Sequence, residues 1–450
     1  MTKIKISKFK KDLKQVQDHY LNYPYPFRNP EDDKKRIIRT QEGYLSNINH
    51  HIYKGNQNFE NGYRVLIAGG GTGDSTIWLA KQLMEYPKSE VVYIDFSEAS
   101  MNIAKKRANI QGITNIKWLV DSILNIPKLK LGKFDYINCS GALQAMKKPD
   151  LGIKILSDVL KENGGAALML YGQYGRVGVY QLQELLRIIN KGVTNHQDKV
   201  NNTWNVLNNL PTTNWYIRGL DLVGPLVDDI ELYDRLLHDQ DTAHTIPQLY
   251  ELTENVGLNI VTFIVPYVRA SLNIDSYFKV SALKEKIKKM SLRDQQSICE
   301  LMGGNIIMHE IYVSKQQNTV ADFNNFNNVP FVFNIKGNLC QNIISLIEKG
   351  DLNIMNKFIN YQIFSENKFE VNINLAILPH TKYLFSHLEN GNKSFIEIFD
   401  DVRKETGSTS SNQELLDEFV INLKPLYSAG VILLRHKSVK SFNNFDELSK

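Results

Sequence analysis

The sequence predicts an α/β fold: a doubly wound, mostly parallel seven-stranded sheet with helical insertions, followed by a C-terminal α+β module of winged-helix-like order. Three observations predict it. The β-branched run Arg64-Val65-Leu66-Ile67-Ala68 ends in the cluster Gly69-Gly70-Gly71-Thr72-Gly73, and a helical pattern follows at once. Strand, glycine loop and helix in that order open a nucleotide-binding α/β domain. Strand and helix patterns then alternate as far as Tyr171, which implies a parallel sheet built from β-α units. Beyond Tyr171 the alternation stops and long helical stretches intervene.

Along the chain, residues 7–21 and 34–52 read as helices. Three prolines in Asn22-Tyr23-Pro24-Tyr25-Pro26-Phe27-Arg28-Asn29-Pro30 hold the link between them extended. Strand 64–68 leads to helix 75–86, and strand 90–95 to helix 97–109. Strand 116–120 ends at Asp121, and strand 134–138 leads to a helix near 150–161. Asn163-Gly164-Gly165 reads as a turn into strand 166–171. Residues 172–245 are helical and rich in aromatics. Helix 246–256, capped by Gly257, meets strand 258–265, and a second helical stretch at 281–302 precedes strand 305–314. These last two strands read as the closing hairpin of the same sheet. The Asn-rich stretch 316–330 reads as a linker. Helices 379–389, 394–405 and 412–428, then strand 431–435, form the winged-helix-like end. The expected units are thus 1–59, an N-terminal helical lid; 60–171, the cofactor-binding core; 172–245, a helical substrate cap; 246–315, the end of the sheet; and 331–450, the C-terminal module.

With 450 residues, 42% of them hydrophobic and 22% charged, the chain has ordinary globular composition and length for more than one domain. A net charge of +5 permits an acidic partner without demanding one. The lysines between Lys3 and Lys14 read as a solvated helix face. Cys139, Cys299 and Cys340 lie far apart with no C-x-x-C pair, which argues against a disulfide framework or a zinc site and suits the cytoplasm. No signal-peptide pattern and no apolar run long enough for a membrane span is visible.

Gly69, Gly71 and Gly73 give G-x-G-x-G. A dinucleotide fingerprint starting at Gly71 would place glycine or alanine at position 76, where Thr76 stands. This spacing suits a cofactor without a pyrophosphate, such as S-adenosylmethionine (SAM). The residues that follow come in the order a SAM site needs. Asp95 ends the second strand about twenty residues on, where an acid meets ribose hydroxyls. Asp121-Ser122 ends the third strand, where a carboxylate can accept from the adenine amine. Asn138 opens Asn138-Cys139-Ser140-Gly141 at the end of the fourth. The plainer reading of Asp95 and Asp121 is that each caps the element after it.

Residues 60–171 resemble a class I SAM-dependent methyltransferase domain. That family often carries an acid at the position held here by Ile67, where it helps hold the methionine amine; the contact must come from elsewhere, with loop carbonyls one source. Three further motifs are similar to a bacterial methyltransferase group with an appended methyltransferase regulatory region. They are Tyr23-Pro24-Tyr25-Pro26-x-Arg28-Asn29-Pro30, Tyr171-Gly172-x-Tyr174-Gly175-Arg176, and His238-x-Gln240-Asp241-x-Ala243-x-Thr245-Ile246-Pro247-Gln248-Leu249-Tyr250. This group includes lysine methyltransferases acting on bacterial outer-membrane proteins. The resemblance implies a SAM-dependent methyltransferase and favours a protein side-chain amine, lysine first, as acceptor.

Methyl transfer from a sulfonium is largely a matter of positioning, and ring faces recognise sulfonium and ammonium groups. Tyr171, Tyr174, Tyr180 and the pair Tyr23/Tyr25 are candidates to line the site, each with core packing as its alternative. Arg28 can pair with the methionine carboxylate or with Glu31, Asp32 or Asp33. Arg176 can bind an acidic substrate group, and Gln144 can touch substrate. Asp228, Asp229 and Asp241 can hold a substrate ammonium. His238 and His244 fit packing better than metal binding. A small-molecule O- or N-methyltransferase and a SAM-sensing scaffold are the competing functions. Nucleic acid is disfavoured as a partner. Residues 138–141 lack the motif that holds a base amine, and Glu414, Asp417 and Glu418 would repel phosphate. Protein contact or self-association, as in a homodimer, suits the C-terminal module better.

Overall fold

The computed structural model describes residues 24–238, 241–333, 339–348, 357–362, 368–373, 375–376, 378–388 and 391–442. The helix expected at 7–21, the lysines before it and Tyr23 lie outside the described residues. One twisted sheet dominates. Its strands are β1 (Arg64–Ala68), β2 (Glu90–Asp95), β3 (Ile116–Val120), β4 (Phe134–Ser140), β5 (Leu160–Gly172), β6 (Ala243–His244), β7 (Asn259–Phe263) and β8 (Met308–Ser314). The order is β3-β2-β1-β4-β5-β8-β7. The pairs within β3-β2-β1-β4-β5 are parallel, and β8 is antiparallel to both β5 and β7. The expected seven strands are therefore present, and the closing hairpin forms across the insertions. The two-residue β6 is an eighth strand that the sequence did not suggest; it lies parallel to Tyr171 and Gly172.

Successive strand residues face opposite sides, and both sides are covered. Leu66, Ala68, Ile137 and Cys139 enter one buried cluster. Val65, Ile67, Tyr136, Ala167 and Tyr312 enter the other. This is why the strands read as continuous apolar runs rather than as alternation.

Three local expectations change. The helix expected at 34–52 begins only at Leu45 and runs to Ile52. Carbonyls upstream are committed elsewhere: Glu42 O accepts from the hydroxyls of Tyr136 (2.7 Å) and Tyr312 (3.2 Å), and Gly43 O accepts from Gln82 Nε2 (2.8 Å). Asn163-Gly164-Gly165 is not a turn between elements. Leu160 pairs with Phe134 and Gly165 with Tyr136, so the residues between bulge from the ladder. The expected linker 316–330 ends in strand β9 (Asn328–Val332), which pairs antiparallel with β12 (Ile432–His436); β10 (Lys357–Gln362) and β11 (Lys368–Ile373) form a separate antiparallel pair.

The C-terminal helices Thr381–Leu388, Phe395–Thr406 and Asn412–Ser428 precede β12 and enclose their own core around Phe395, Phe399 and Phe419. This module docks on helix Leu45–Ile52. The buried His50 accepts from Leu434 N–H at Nδ1 (2.9 Å), and its Nε2 lies 3.3 Å from the Tyr427 hydroxyl. Burial pushes the His50 imidazole down to about 3, so it stays neutral. The insertion after β5 carries helices Val177–Ile189, His196–Asn208 and Asp229–Leu236, packed around Val179, Leu182, Leu186, Tyr216 and Leu236.

Candidate functional site

A cavity of about 560 Å³ opens at the carboxyl ends of β1, β2 and β4. β1 is where the strand order reverses, and open α/β sheets bind ligands at such a point. Its floor is the glycine loop. Gly71 has a left-handed φ of +52°, and a Cβ there would stand 3.0 Å from the Tyr25 carbonyl oxygen. Gly73, at φ +104°, caps helix Asp74–Leu83, and a Cβ on it would lie 2.8 Å from the Ala104 Cβ. Close helix approach is thus provided by Gly73, and Thr76 sits buried one turn on.

The residues expected at the cofactor gather on this cavity. Gly69, Gly71, Gly73, Asp95, Asp121, Ser122, Asn138 and Arg28 all line it. The Asp95 carboxylate accepts from Gly71 N–H (2.8 Å) and Ser97 N–H (2.7 Å). Burial raises its pKa, and the backbone donors oppose the rise. Asp121 accepts from Ser122 N–H and from Asn125 Nδ2, both at 2.7 Å. Both acids therefore brace local turns while facing the cavity, so the capping and ligand-facing readings coexist.

Arg28 reaches neither a free anion nor the acids beside it in sequence. Its guanidinium grips Asp74 at 2.6–3.1 Å. Asp74 also takes Arg107 Nη1 (2.6 Å), and Arg107 binds Asp33 (2.7 Å) and the Thr72 carbonyl (3.0 Å). Thr72 Oγ1 donates to Pro26 O (2.8 Å). The segment 24–34 is thereby strapped across the glycine loop. Burial opposes ionisation of Asp74, but the two arginines hold its carboxyl below the usual range.

Tyr25, Tyr171 and Gln144 also line the cavity. Gln144 Nε2 donates to Gly141 O (2.7 Å), while its buried Oε1 has no partner. Tyr174 does not line the cavity. It opens the 3-10 turn Tyr174–Arg176, which packs through Gly175 against the Ile306 carbonyl. Arg176 also stays off the cavity; it is buried, stacked 3.6 Å over the Tyr171 ring and paired with Asp241 (3.3 Å). Asp241 is thereby committed to Arg176, Asp228 caps helix Asp229–Leu236, and Asp229 accepts from Trp204 Nε1 (2.8 Å), so none of these three acids reaches the cavity. Among the described residues no three His, Cys, Asp or Glu side chains form a group able to hold a metal ion.

The structure adds acids that sequence reasoning missed. Glu42, Asp234 and Glu310 line the cavity, with Tyr267 beside them. Asp234, rather than its neighbours, is the insertion's contribution. Burial and the nearby Glu42 push the Glu310 carboxyl up to about 8. Burial and then Asp234 raise the Tyr25 and Tyr171 hydroxyls. An acid beside the apolar run Ile311-Tyr312-Val313 of a predicted strand was a usable signal for Glu310. Glu42 had none, since its place depends on where the chain lays Gln41–Gly43 across the sheet. The cavity lining therefore combines acidic side chains with tyrosines, a setting for a cationic group.

Residues 59–239 match the family model described as a methyltransferase domain. An uncharacterised protein of Synechococcus is 26% identical over 257 residues, which are 56% of this chain and 60% of that protein. An uncharacterised protein of Rickettsia prowazekii is 29% identical over 126 residues, 28% of this chain and 47% of that one. The chain thus spans about half the length of the curated relatives it matches. The structure of PKMT2 from Rickettsia typhi is similar, at TM-score 0.63 and 16% identity, covering 88% of this chain and 77% of that one. Its complex with AdoHcy gives TM-score 0.61 at 17% identity over 88% of this chain and 76% of that one. At this identity the likeness is one of fold, the class I methyltransferase fold that the sheet order also describes. Among the described residues no helix is long and apolar enough to cross a membrane.

Proposed function

With residues 59–239 a methyltransferase domain, we propose that the protein is a SAM-dependent N-methyltransferase whose acceptor is a protein side-chain amine, lysine first. The observation that carries the acceptor reading is that two further acidic side chains, Asp234 and Glu310, line the same cavity as Tyr25, Tyr171 and Tyr267. PKMT2 from Rickettsia typhi, similar in fold, is solved in complex with AdoHcy, which accords with the cofactor of this reading.

The lining at the glycine loop fits SAM. The left-handed Gly71 leaves the loop open where a Cβ would stand, and two carboxylates face the cavity at the ends of β2 and β3. In this reading Asp95 holds the ribose hydroxyls, and Asp121 and Ser122 hold the adenine edge. Gly69, Gly71, Gly73 and Asn138 hold the backbone side. Arg28 acts through Asp74, keeping the strap of segment 24–34 closed. Bound there, SAM supplies a methyl group on a sulfonium sulfur, already activated towards an amine.

The chain's own residues do the rest. Tyr25 and Tyr171 present ring faces to the entering cation. Gln144 offers its unpartnered Oε1 to an amine N–H. Glu310 accepts the proton that the ammonium must lose before its nitrogen can attack, a transfer that a carboxyl near pH 8 can make. The insertion 172–245 closes the acceptor side with Asp234. The cavity is of ordinary small-ligand size, so it admits one extended side chain beside the cofactor rather than a folded surface. The reading places the protein in the cytoplasm.

The test is transfer of labelled methyl groups from SAM into cell lysate, with the product fractionated and hydrolysed. Label on methyl-lysine in protein is expected. Label confined to the small-molecule fraction overturns the acceptor, and SAM binding with no transfer makes the protein a sensor.

A further inference from the structure

The methionine end of SAM is a zwitterion, and its ammonium needs an anion in a site this enclosed. The strand end closest to the glycine loop cannot supply one, because position 67 is Ile67. Nor are the other carboxylates around the loop open to it. Asp74 is gripped by Arg28 and Arg107. Asp95, bonded by the amides of Gly71 and Ser97, is taken by the ribose in the reading above. Asp121, bonded by Ser122 and Asn125 through Oδ1, is taken there by the adenine edge.

Glu42 differs. Its Oε1 accepts from Ser75 Oγ (2.6 Å), in the first turn after the loop, and from Asn138 Nδ2 (3.3 Å). Asn138 is the cross-strand partner of Ile67, so the Glu42 carboxylate stands beside the strand end that Ile67 occupies. Two tyrosine hydroxyls fix the Glu42 backbone carbonyl from below. The residue is buried yet faces the cavity, and no described residue donates a hydrogen bond to its Oε2. An anion held this firmly through one oxygen, with the other unclaimed, is preorganised for a cationic ligand.

We infer that Glu42 binds the ammonium of the cofactor's methionine end, making from the 3-10 turn Gln41–Gly43 the contact that Ile67 cannot make from the sheet. This rests on the SAM reading above.

The experiment is calorimetric titration of the full chain and of Glu42→Gln with two ligands. S-adenosylhomocysteine carries the ammonium; methylthioadenosine keeps the nucleoside and thioether and lacks the amino-acid end. The variant should bind S-adenosylhomocysteine about ten- to hundredfold more weakly, the worth of one charge-assisted hydrogen bond, and bind methylthioadenosine as the unaltered chain does. Equal affinity of both proteins for S-adenosylhomocysteine overturns the inference and leaves the cofactor reading standing. Loss of both ligands by a variant with an unaltered melting curve also overturns it, since Glu42 would then shape the pocket as a whole. An unaltered chain that binds neither ligand refutes the cofactor reading, and the inference with it.

Discussion

Arg107 joins the N-terminal strap to the glycine loop, and replacing it tests whether that junction holds the site together. The guanidinium is 1% exposed and makes four hydrogen bonds, to both Asp33 oxygens, to Asp74 and to the Thr72 carbonyl. Arg107→Met keeps most of the buried stem and removes all four donors. Asp33, itself 4% exposed, is left as a buried carboxylate without its ion-pair partner. Removing one partner of a buried pair costs about 3–5 kcal/mol, because the remaining charge stays out of water. Asp74 loses less, since Arg28 still grips it. The assay is urea denaturation at pH 7 followed by the fluorescence of the four tryptophans, among them the buried Trp78 on the helix that Asp74 begins. A lowered midpoint equivalent to about 3–5 kcal/mol is expected. The pH dependence has a defined sign. Arg28 and Arg107 hold the folded Asp74 carboxyl below its ordinary 3.8. Its contribution is therefore fully present above that value and fades as pH falls through the lower folded one. The deficit of the variant should be widest near neutrality and narrow below about pH 4. A loss under about 1 kcal/mol, or one that 1 M salt removes, is what an exposed, screened pair would give and would refute the reasoning.

Two further predictions concern the cavity. Gly71→Val places a β-branched residue at φ +52° with its Cβ 3.0 Å from the Tyr25 carbonyl; calorimetry should find no binding of S-adenosylhomocysteine, and an unchanged affinity would refute the placement of the cofactor. Glu310→Gln should alter both stability and rate on the alkaline side. The folded carboxyl titrates near 8 against an ordinary 4.5, so the folded state holds the extra proton between those values and stability falls as pH rises through them. Melting temperatures of the variant and the unaltered chain should agree near pH 4 and separate in the variant's favour by pH 9. Methyl transfer by the unaltered chain should rise through about pH 8, and that rise should flatten in the variant. Parallel melting curves from pH 4 to 9 would refute the Glu310 assignment.

Much of the core was legible because its signals are local. The apolar runs at 64–68, 90–95 and 134–138 form strands because parallel strands covered on both faces can be built from little else. Gly69, Gly71 and Gly73 marked the loop because left-handed backbone needs glycine. Asp95 and Asp121 could be placed because each ends a strand, and every parallel strand delivers its carboxyl end to the same edge. The acceptor residues were read poorly for the opposite reason. Asp228, Asp229 and Asp241 were as plausible as Asp234 in sequence, and only the packing of helix Asp229–Leu236 turned one of the four towards the cavity. Arg28 was recognised as a cation near the loop, but its partner Asp74 lies 46 positions away. Tyr174 belongs to a motif whose backbone turns off the cavity after Gly172.

The sequence by itself determined the sheet, the loop and the edge at which a ligand sits, since strand composition, chain direction and glycine geometry act over a few residues. Only the tertiary structure decided which anions face that ligand. Glu42 and Glu310 lie far apart in the chain and meet in one cavity because the chain crosses the sheet at Gln41–Gly43 and returns along β8. A carboxylate's role depends on which donors reach it and how much water is left around it, and neither is settled until distant segments have packed.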